Sequence, residues 1–411
     1  MPVVDEGERQ MDGGSSEIYY DPYDFQIDDD PYPIWKRLRD ERPLYRNERF
    51  DFWAVSRFAD VEACLRDWQT FISGKGTLLE LIRASVELPR GMFIFEDPPI
   101  HDLHRALMSR VFTPRRVAAL EARMREFCAR ALDPFVGKDG FDFVRDLGAD
   151  MPMRVISEML GIPESDQEAV RDRTDAGLRM DADGVSNEID TTAVLNDGGR
   201  FREYIAFRRE HPSDDLMTDL IQVSFVDEHG VQRNLTEDEI VNYSTLLAAA
   251  GNETTTRLIG WSGYLLAKHP EQRELLLADR SLIPGAIEEV LRYEAPSPVQ
   301  ARYVTRDVEL HGHTVPEGAV LLAINGAANR DERRYEDPDR FDVRRKAEHH
   351  LSFGHGLHFC LGSALARLEG RVALEEVLAR FPRWEVDTDN AERGRTSTVR
   401  GWQRLPVRFL R

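Results

Sequence analysis

Over most of the chain, apolar side chains recur at the three- and four-residue spacing of amphipathic helices, and two-residue alternation is confined to short runs. Helical spacing covers Ile34 to Arg39 and Arg57 to Trp68, while the runs Leu44–Tyr45 and Phe52–Val55 between them predict a small β-hairpin. Residues 71–95 are apolar (Leu78, Leu79, Leu81, Ile82) but are interrupted by Gly74, Gly76, Pro89 and Gly91. Such a stretch is either a packed Ω-loop or a lid over a ligand. Pro98 and Pro99 end it, and a helix follows to about Val117. The pattern from Ala118 to Arg209 is helical, broken around Gly137–Gly140, Gly161–Ser165 and Asp183–Glu188, and residues 170–200 are poorly periodic.

Thr236 and Glu239 form a capping-box pattern, and helical spacing then runs to His269, ahead of Pro270. At ~1.5 Å per residue this helix is about 50 Å long, enough to cross a whole domain. Its middle, Leu246 to Thr256, is a poor helix sequence with small residues and consecutive threonines. The Thr254 hydroxyl can bond the Ala250 carbonyl one turn back and bend the helix there. Arg302–Val304 opens a β region; Thr314–Val315, a turn at Pro316–Gly318 and Ala319–Ile324 predict a hairpin. A last long helix spans Leu361 to Phe381.

Composition narrows the class. Length alone suggests two or three domains for 411 residues, and 41% hydrophobic residues can build a substantial core. A net charge of −20 with no dominant basic stretch argues against a nucleic-acid partner. Cys64, Cys128 and Cys360 are too few and too scattered for a disulfide framework, so a reducing compartment is expected. The first residues are acidic and polar, with no secretory core, and no run of ~18 apolar residues occurs. These features lead us to expect a cytoplasmic protein without a membrane anchor, whose residues 1–17 form a disordered tail.

One stretch stands apart. Phe353 to Gly362 reads FGHGLHFCLG. Glycines let the backbone turn with positive φ and approach a flat ligand closely. A cysteine at the start of a helix meets the positive end of the dipole, which favours its thiolate. On its own, a single cysteine is most simply a small buried hydrophobe. Five positions around it, Phe353, Gly356, His358, Cys360 and Gly362, resemble the haem-binding signature of the cytochrome P450 family, in which the cysteine is the axial iron ligand.

The resemblance extends along the chain from about residue 30. Asp97-Pro98-Pro99-x-His101-x-x-x-Arg105 resembles the family segment whose His and Arg contact haem propionates; without the resemblance, two basic residues one turn apart read as a solvated face. Ile100 and Leu103 stand where the family often has charged residues. Arg302 and His358 match further propionate positions, and Phe353, Gly354 and Gly362 belong to the same haem loop. Ala250-Gly251-x-Glu253-Thr254-Thr255 resembles the oxygen-activation motif, in which small residues leave a groove beside the iron and an acid–alcohol pair organises water and protons. By itself that run reads as close helix packing across Ala248–Gly251. Glu289 and Arg292, with Arg340, resemble a buried Glu–Arg–Arg cluster that locks the segment positioning the Cys360 loop.

The resemblance implies a mainly α fold, the cytochrome P450 fold, as a single haem-binding domain over residues 18–411 with small β-sheets. Haem b would lie between the Thr236–His269 helix and the Cys360 helix. The implied reaction inserts one oxygen atom from O2 into a hydrophobic small molecule (a terpenoid, steroid, fatty acid or aromatic compound). Glu253 and Thr254 would deliver protons, and Leu247, Ala250 and Val299 would line the pocket. Leu79, Ile82 and Val399 join them by family position, residues 71–95 would cover the pocket, and a mobile helix pair would occupy 170–200. No flavin or nicotinamide domain accompanies the haem domain, so a separate ferredoxin with its reductase is the expected donor. Arg105, Arg110, Arg115 and Arg116 are its candidate docking patch. A peroxide-driven haem enzyme would typically replace the Glu253–Thr254 pair, and a non-catalytic haem protein or sensor would need neither residue. A cysteine hydrolase built on Cys360 and His358 would leave the other motifs unexplained.

Overall fold

The computed structural model describes residues 17–167, 198–347, 349–396 and 399–410. The expected tail, apart from Glu17, and the poorly periodic stretch up to residue 197 lie outside the described residues. Helix Glu237–Lys268 buries most of its side chains. It begins as the capping box predicts: the Glu239 N–H donates to Thr236 Oγ1 (3.2 Å) and the Thr236 N–H donates to Glu239 Oε2 (2.8 Å). Glu237, Asp238 and Glu239 place negative charge on the positive end of the helix. The helix stops at His269, and Pro270 starts the next one, Pro270–Ala278. Its 32 residues correspond to about 48 Å.

The other elements pack around it. Met151–Leu160 lies along one side, and Ser363–Arg380 crosses another, where a Cβ at Gly370 would lie 3.0 Å from Leu258 Cδ2. A side chain there would require Leu258 and Ile287 to give by a few tenths of an ångström. The buried apolar side chains around this crossing, among them Leu258, Trp261, Ile287, Leu365 and Val372, belong to one cluster.

A five-stranded sheet lies apart from the crossing, in the order Leu44–Asn47, Phe52–Val55, Val320–Ala323, Gln300–Val304, Phe71–Ile72. The predicted hairpin Leu44–Val55 forms its edge, with Leu44 opposite Val55. The second predicted hairpin is corrected. Val320–Ala323 does not fold back on Thr314–Val315; it runs parallel to Phe52–Val55 and antiparallel to Gln300–Val304. All four of its residues are buried, and a continuous apolar run belongs in the middle of a sheet. His313–Val315, with two exposed residues, pairs instead with Val308–Leu310 in a separate outer hairpin.

The apolar stretch 71–95 also holds more local structure than expected. Leu79–Ala84 is a short helix burying Leu79, Leu81 and Ile82, and Phe93–Phe95 is a helical turn. Among the described residues no helix is long and apolar enough to cross a membrane.

Candidate active site

The cysteine loop is built by two left-handed glycines and short backbone bonds. Gly354 and Gly356 have φ of 70° and 71°, and the Cys360 N–H donates to the Phe353 carbonyl at 2.8 Å. A Cβ at Gly356 would sit 2.8 Å from the Leu65 carbonyl oxygen, so the loop lies directly on the end of helix Phe58–Arg66. Cys360 stands just ahead of helix Ser363–Arg380, whose N-cap is Gly362. Burial pushes the Cys360 thiol up, and the Gly362 N–H, Arg105 and Arg367 pull it down. The expected bias towards thiolate is therefore outweighed by desolvation in the protein alone, although coordination to a metal deprotonates a thiol outright. Among the described residues, its two chain neighbours aside, nothing lies within 4 Å of where a Cβ at Gly362 would point.

Four basic side chains from three segments converge on this loop. His101 and Arg105 come from helix Ile100–Ser109, Arg302 from strand Gln300–Val304, and His358 from the loop itself. Arg105 donates to the Phe359 carbonyl at 2.5 Å, and the His101 and His358 rings lie 4.4 Å apart. Buried Arg302 donates to the Ala301 carbonyl (2.8 Å) and Gln300 Oε1 (3.2 Å). Among the described residues no carboxylate forms a salt bridge with Arg105 or Arg302. His101 Nε2 and His358 Nε2 are buried without a hydrogen-bond partner among the described residues. Burial, reinforced by Arg302, His101 and Arg105, lowers His358 to about 2. Such positive charge and unpartnered ring nitrogens, gathered in one place, suit a ligand with two negative groups.

The middle of the long helix is opened on one face. Ala250 is exposed and Thr254, one turn on, is half-buried, although their neighbours Ala248, Asn252, Glu253 and Thr255 are buried. The Thr254 hydroxyl donates to the Ala250 carbonyl at 2.9 Å, as the spacing predicted. Gly251 does not share this open face, because a Cβ there would touch Ile156 at 3.4 Å. Glu253 is also turned elsewhere, and its Oε1 accepts from Arg257 at 2.8 Å in a buried ion pair. Thr255 donates to Glu369 Oε2 (3.3 Å) on the helix that follows Cys360, which ties the two helices together. Burial raises the Glu369 carboxyl well above the usual carboxylate range, opposed only by its bond from Thr255. Glu369 was not singled out from the sequence, though an acid amid the apolar positions of a core helix was a visible signal.

The locking cluster holds with one replacement. Glu289 and Arg292 are fully buried, joined at 2.7 and 2.9 Å, and Arg292 also donates to the Asn329 and Pro338 carbonyls. The second arginine is Arg345, with Nε 3.2 Å from Glu289 Oε1. Arg340 was expected there; its side chain is exposed beside Asp342, and only its carbonyl faces the cluster. From this cluster Asn329 reaches the cysteine loop, accepting from the Leu351 N–H (2.7 Å) and donating to Ser352 Oγ (2.8 Å).

Comparison with known proteins identifies the family. The cytochrome P450 family pattern matches residues 199–402. Putative cytochrome P450 123 of Mycobacterium tuberculosis is 41% identical over 96% of this chain and 98% of its own. The chain belongs to the cytochrome P450 family. Cytochrome P450 monooxygenase PikC of Streptomyces venezuelae is 36% identical over 93% of this chain and 92% of its own. The crystal structure of CYP109E1 from Bacillus megaterium in complex with testosterone superposes with a TM-score of 0.85, at 30% identity, covering 93% of this chain and 99% of the other.

P450 enzymes are oxidoreductases that bind haem b, and the residues present fit that group. Cys360 would ligate the iron, with open space at Gly362 on its own loop and at Ala250 and Thr254 on the long helix. His101, Arg105, Arg302 and His358 would hold the propionates. The six residues expected to line a P450 substrate pocket are divided. Leu79, Ile82 and Val299 pack in one cluster with Ala301 and Val320. Val399 meets Val299 at a small cavity of about 50 Å³. Leu247 is buried in another cluster with Phe93 and Tyr243, and Ala250 alone faces open space. A larger cleft, about 790 Å³, opens beside the start of the long helix but includes none of the six. Its Arg90, Arg202, Arg233, Asp238 and Glu239 are already ion-paired, a lining unsuited to an apolar molecule.

The expected docking arginines are likewise divided. Arg105 is turned inward to Phe359 and Arg116 pairs with Asp219 at 2.7 Å, whereas Arg110 and Arg115 are exposed.

Proposed function

We propose that this P450 inserts one atom of O2 into a bulky apolar small molecule of the terpenoid, steroid, fatty acid or aromatic class, taking its electrons from a separate ferredoxin in the cytoplasm. The observation that carries the reading is the open Ala250–Thr254 face in the middle of an otherwise buried helix, bonded through Thr255 and Glu369 to the helix that follows Cys360. A small methyl and a hydroxyl on that face leave room for an apolar substrate and offer it one polar group. The neighbour that holds testosterone supports a bulky apolar substrate.

Each side chain has a part in this reading. Thiolate-ligated haem supplies the oxygen activation itself. Cys360 would hold the iron, and the His101–Arg105–Arg302–His358 set would neutralise the propionates and fix the ring. The Thr254 hydroxyl gives its hydrogen to Ala250 and presents its oxygen as an acceptor that would order a proton-donating water on the open face. Glu253 supplies protons only when its Arg257 pair opens, so that ion pair is a gate between the protein surface and Thr254. Arg110 and Arg115 offer positive charge to an acidic donor protein.

Titration of the purified ferric protein with a panel of apolar compounds, followed by haem absorption, tests the reading. A saturable spin-state shift with one chemical class is expected. Protein that takes up no haem, or product formation that proceeds equally well without a ferredoxin system, would overturn it.

A further inference from the structure

A second cluster of ligating side chains lies on the outer side of the cysteine loop. Glu62 on helix Phe58–Arg66, His349, and His355 of the loop each offer a donor atom, all within 4.8 Å of one another. We propose that these three residues bind a divalent transition metal of the zinc class, leaving a fourth position open to water.

The donor set is chemically suited to it. Two imidazoles and one carboxylate match zinc and its late first-row neighbours, and exclude calcium and magnesium, which take oxygen ligands. Zinc ligands at ~2.0–2.1 Å in a tetrahedron lie about 3.4 Å apart. His349 Nε2 and Glu62 Oε1, 2.8 Å apart, would spread by roughly half an ångström, and with all donor atoms within 4.8 Å of one another no pair would need to close by more than about 1.5 Å.

The backbone beneath is held in place. Gly356 sits against the Leu65 carbonyl, which fixes His355 beside the helix carrying Glu62. Tyr335 donates to the His349 carbonyl at 2.6 Å, and the His349 ring lies against Phe58 at 5.5 Å. Among the described residues the groups facing the cluster are few: Arg66 Nη2 stands 3.1 Å from His355 Nε2 and 3.9 Å from Glu62. That guanidinium is the competitor for the site, and its side chain, 66% exposed, is free to swing into solvent when the ion enters. A bound ion would join helix Phe58–Arg66 to the loop that carries Cys360. It would lie outside the haem pocket and leave Cys360 untouched.

The test uses tag-free, haem-loaded protein titrated with zinc chloride, read by calorimetry and by competition with a chromogenic chelator. One equivalent should bind saturably with a dissociation constant in the micromolar range or tighter. His349→Ala and Glu62→Gln should each weaken that binding at least tenfold while haem absorption stays unchanged. Copper(II) in place of zinc should give a paramagnetic resonance signal with coupling to two nitrogens, reduced to one in His349→Ala. Absence of saturable binding, or binding that either variant leaves intact, would overturn the proposal.

Discussion

The rings of His101 and His358 lie 4.4 Å apart at an angle of 58°, and each leaves a buried Nε2 without a partner among the described residues. Two segments distant in sequence therefore bring unpartnered ring nitrogens to one place, beside Arg105 and Arg302. The protein alone bears the cost of crowding these groups, and a dianionic ligand relieves it.

Arg302→Leu should accordingly separate stability from ligand binding. Haem affinity should fall several-fold in a haem titration, while the thermal midpoint of haem-free protein stays level or rises as like-charge crowding eases. A variant that destabilises the haem-free protein yet binds haem normally would contradict the propionate role.

The locking cluster gives a three-way comparison in urea unfolding. Glu289→Gln should cost ~3–5 kcal/mol, because it leaves Arg292 buried without its counter-charge. Arg345→Ala should also destabilise and lower haem content, whereas Arg340→Ala should fall within about 0.5 kcal/mol of the parent protein. Equal effects at Arg340 and Arg345 would contradict the assignment.

Thr254→Val removes the hydroxyl from the open face of the long helix while keeping its volume. Haem absorption and substrate-induced spin shifts should be retained. The share of consumed reducing equivalents that appears in product should fall several-fold, measured as product formed per electron pair. An unchanged share would remove Thr254 from proton handling.

Glu239 predicts a dependence on acid. Burial raises its pKa, but the Arg233 hydrogen bond, the Thr236 N–H and the charges of Arg233 and His104 prevail and lower it to about 2. A depressed carboxyl contributes stability above its unfolded value, near 4.5, and loses it as pH falls towards 2. Glu239→Gln should therefore cost ~1–3 kcal/mol at neutral pH, and the gap to the parent protein should narrow across that window. Parallel stability curves down to pH 2 would refute the assignment.

Whatever depends on neighbours within one or two helical turns was legible in the sequence alone. The Thr236–Glu239 capping box, the Thr254 bond to Ala250, the stop before Pro270 and the Glu289–Arg292 pair all lie at fixed helical offsets, and each forms as the spacing dictates. The motif around Cys360 was equally legible, because its glycines encode a local backbone path. Where distant segments meet, only the tertiary structure decides. Arg345 displaces Arg340 as the partner of Glu289, although both lie in one irregular segment whose path has no period to read. Val320–Ala323 takes a central place in its sheet because both of its faces need cover, a demand met by strands far away in the chain. Gly251 lies on Ile156 and Glu253 on Arg257, so of the small-residue motif Ala250 and Thr254 keep the open face. The meeting of Glu62, His349 and His355 has no trace in their spacing, since packing between a helix and a distant loop creates it.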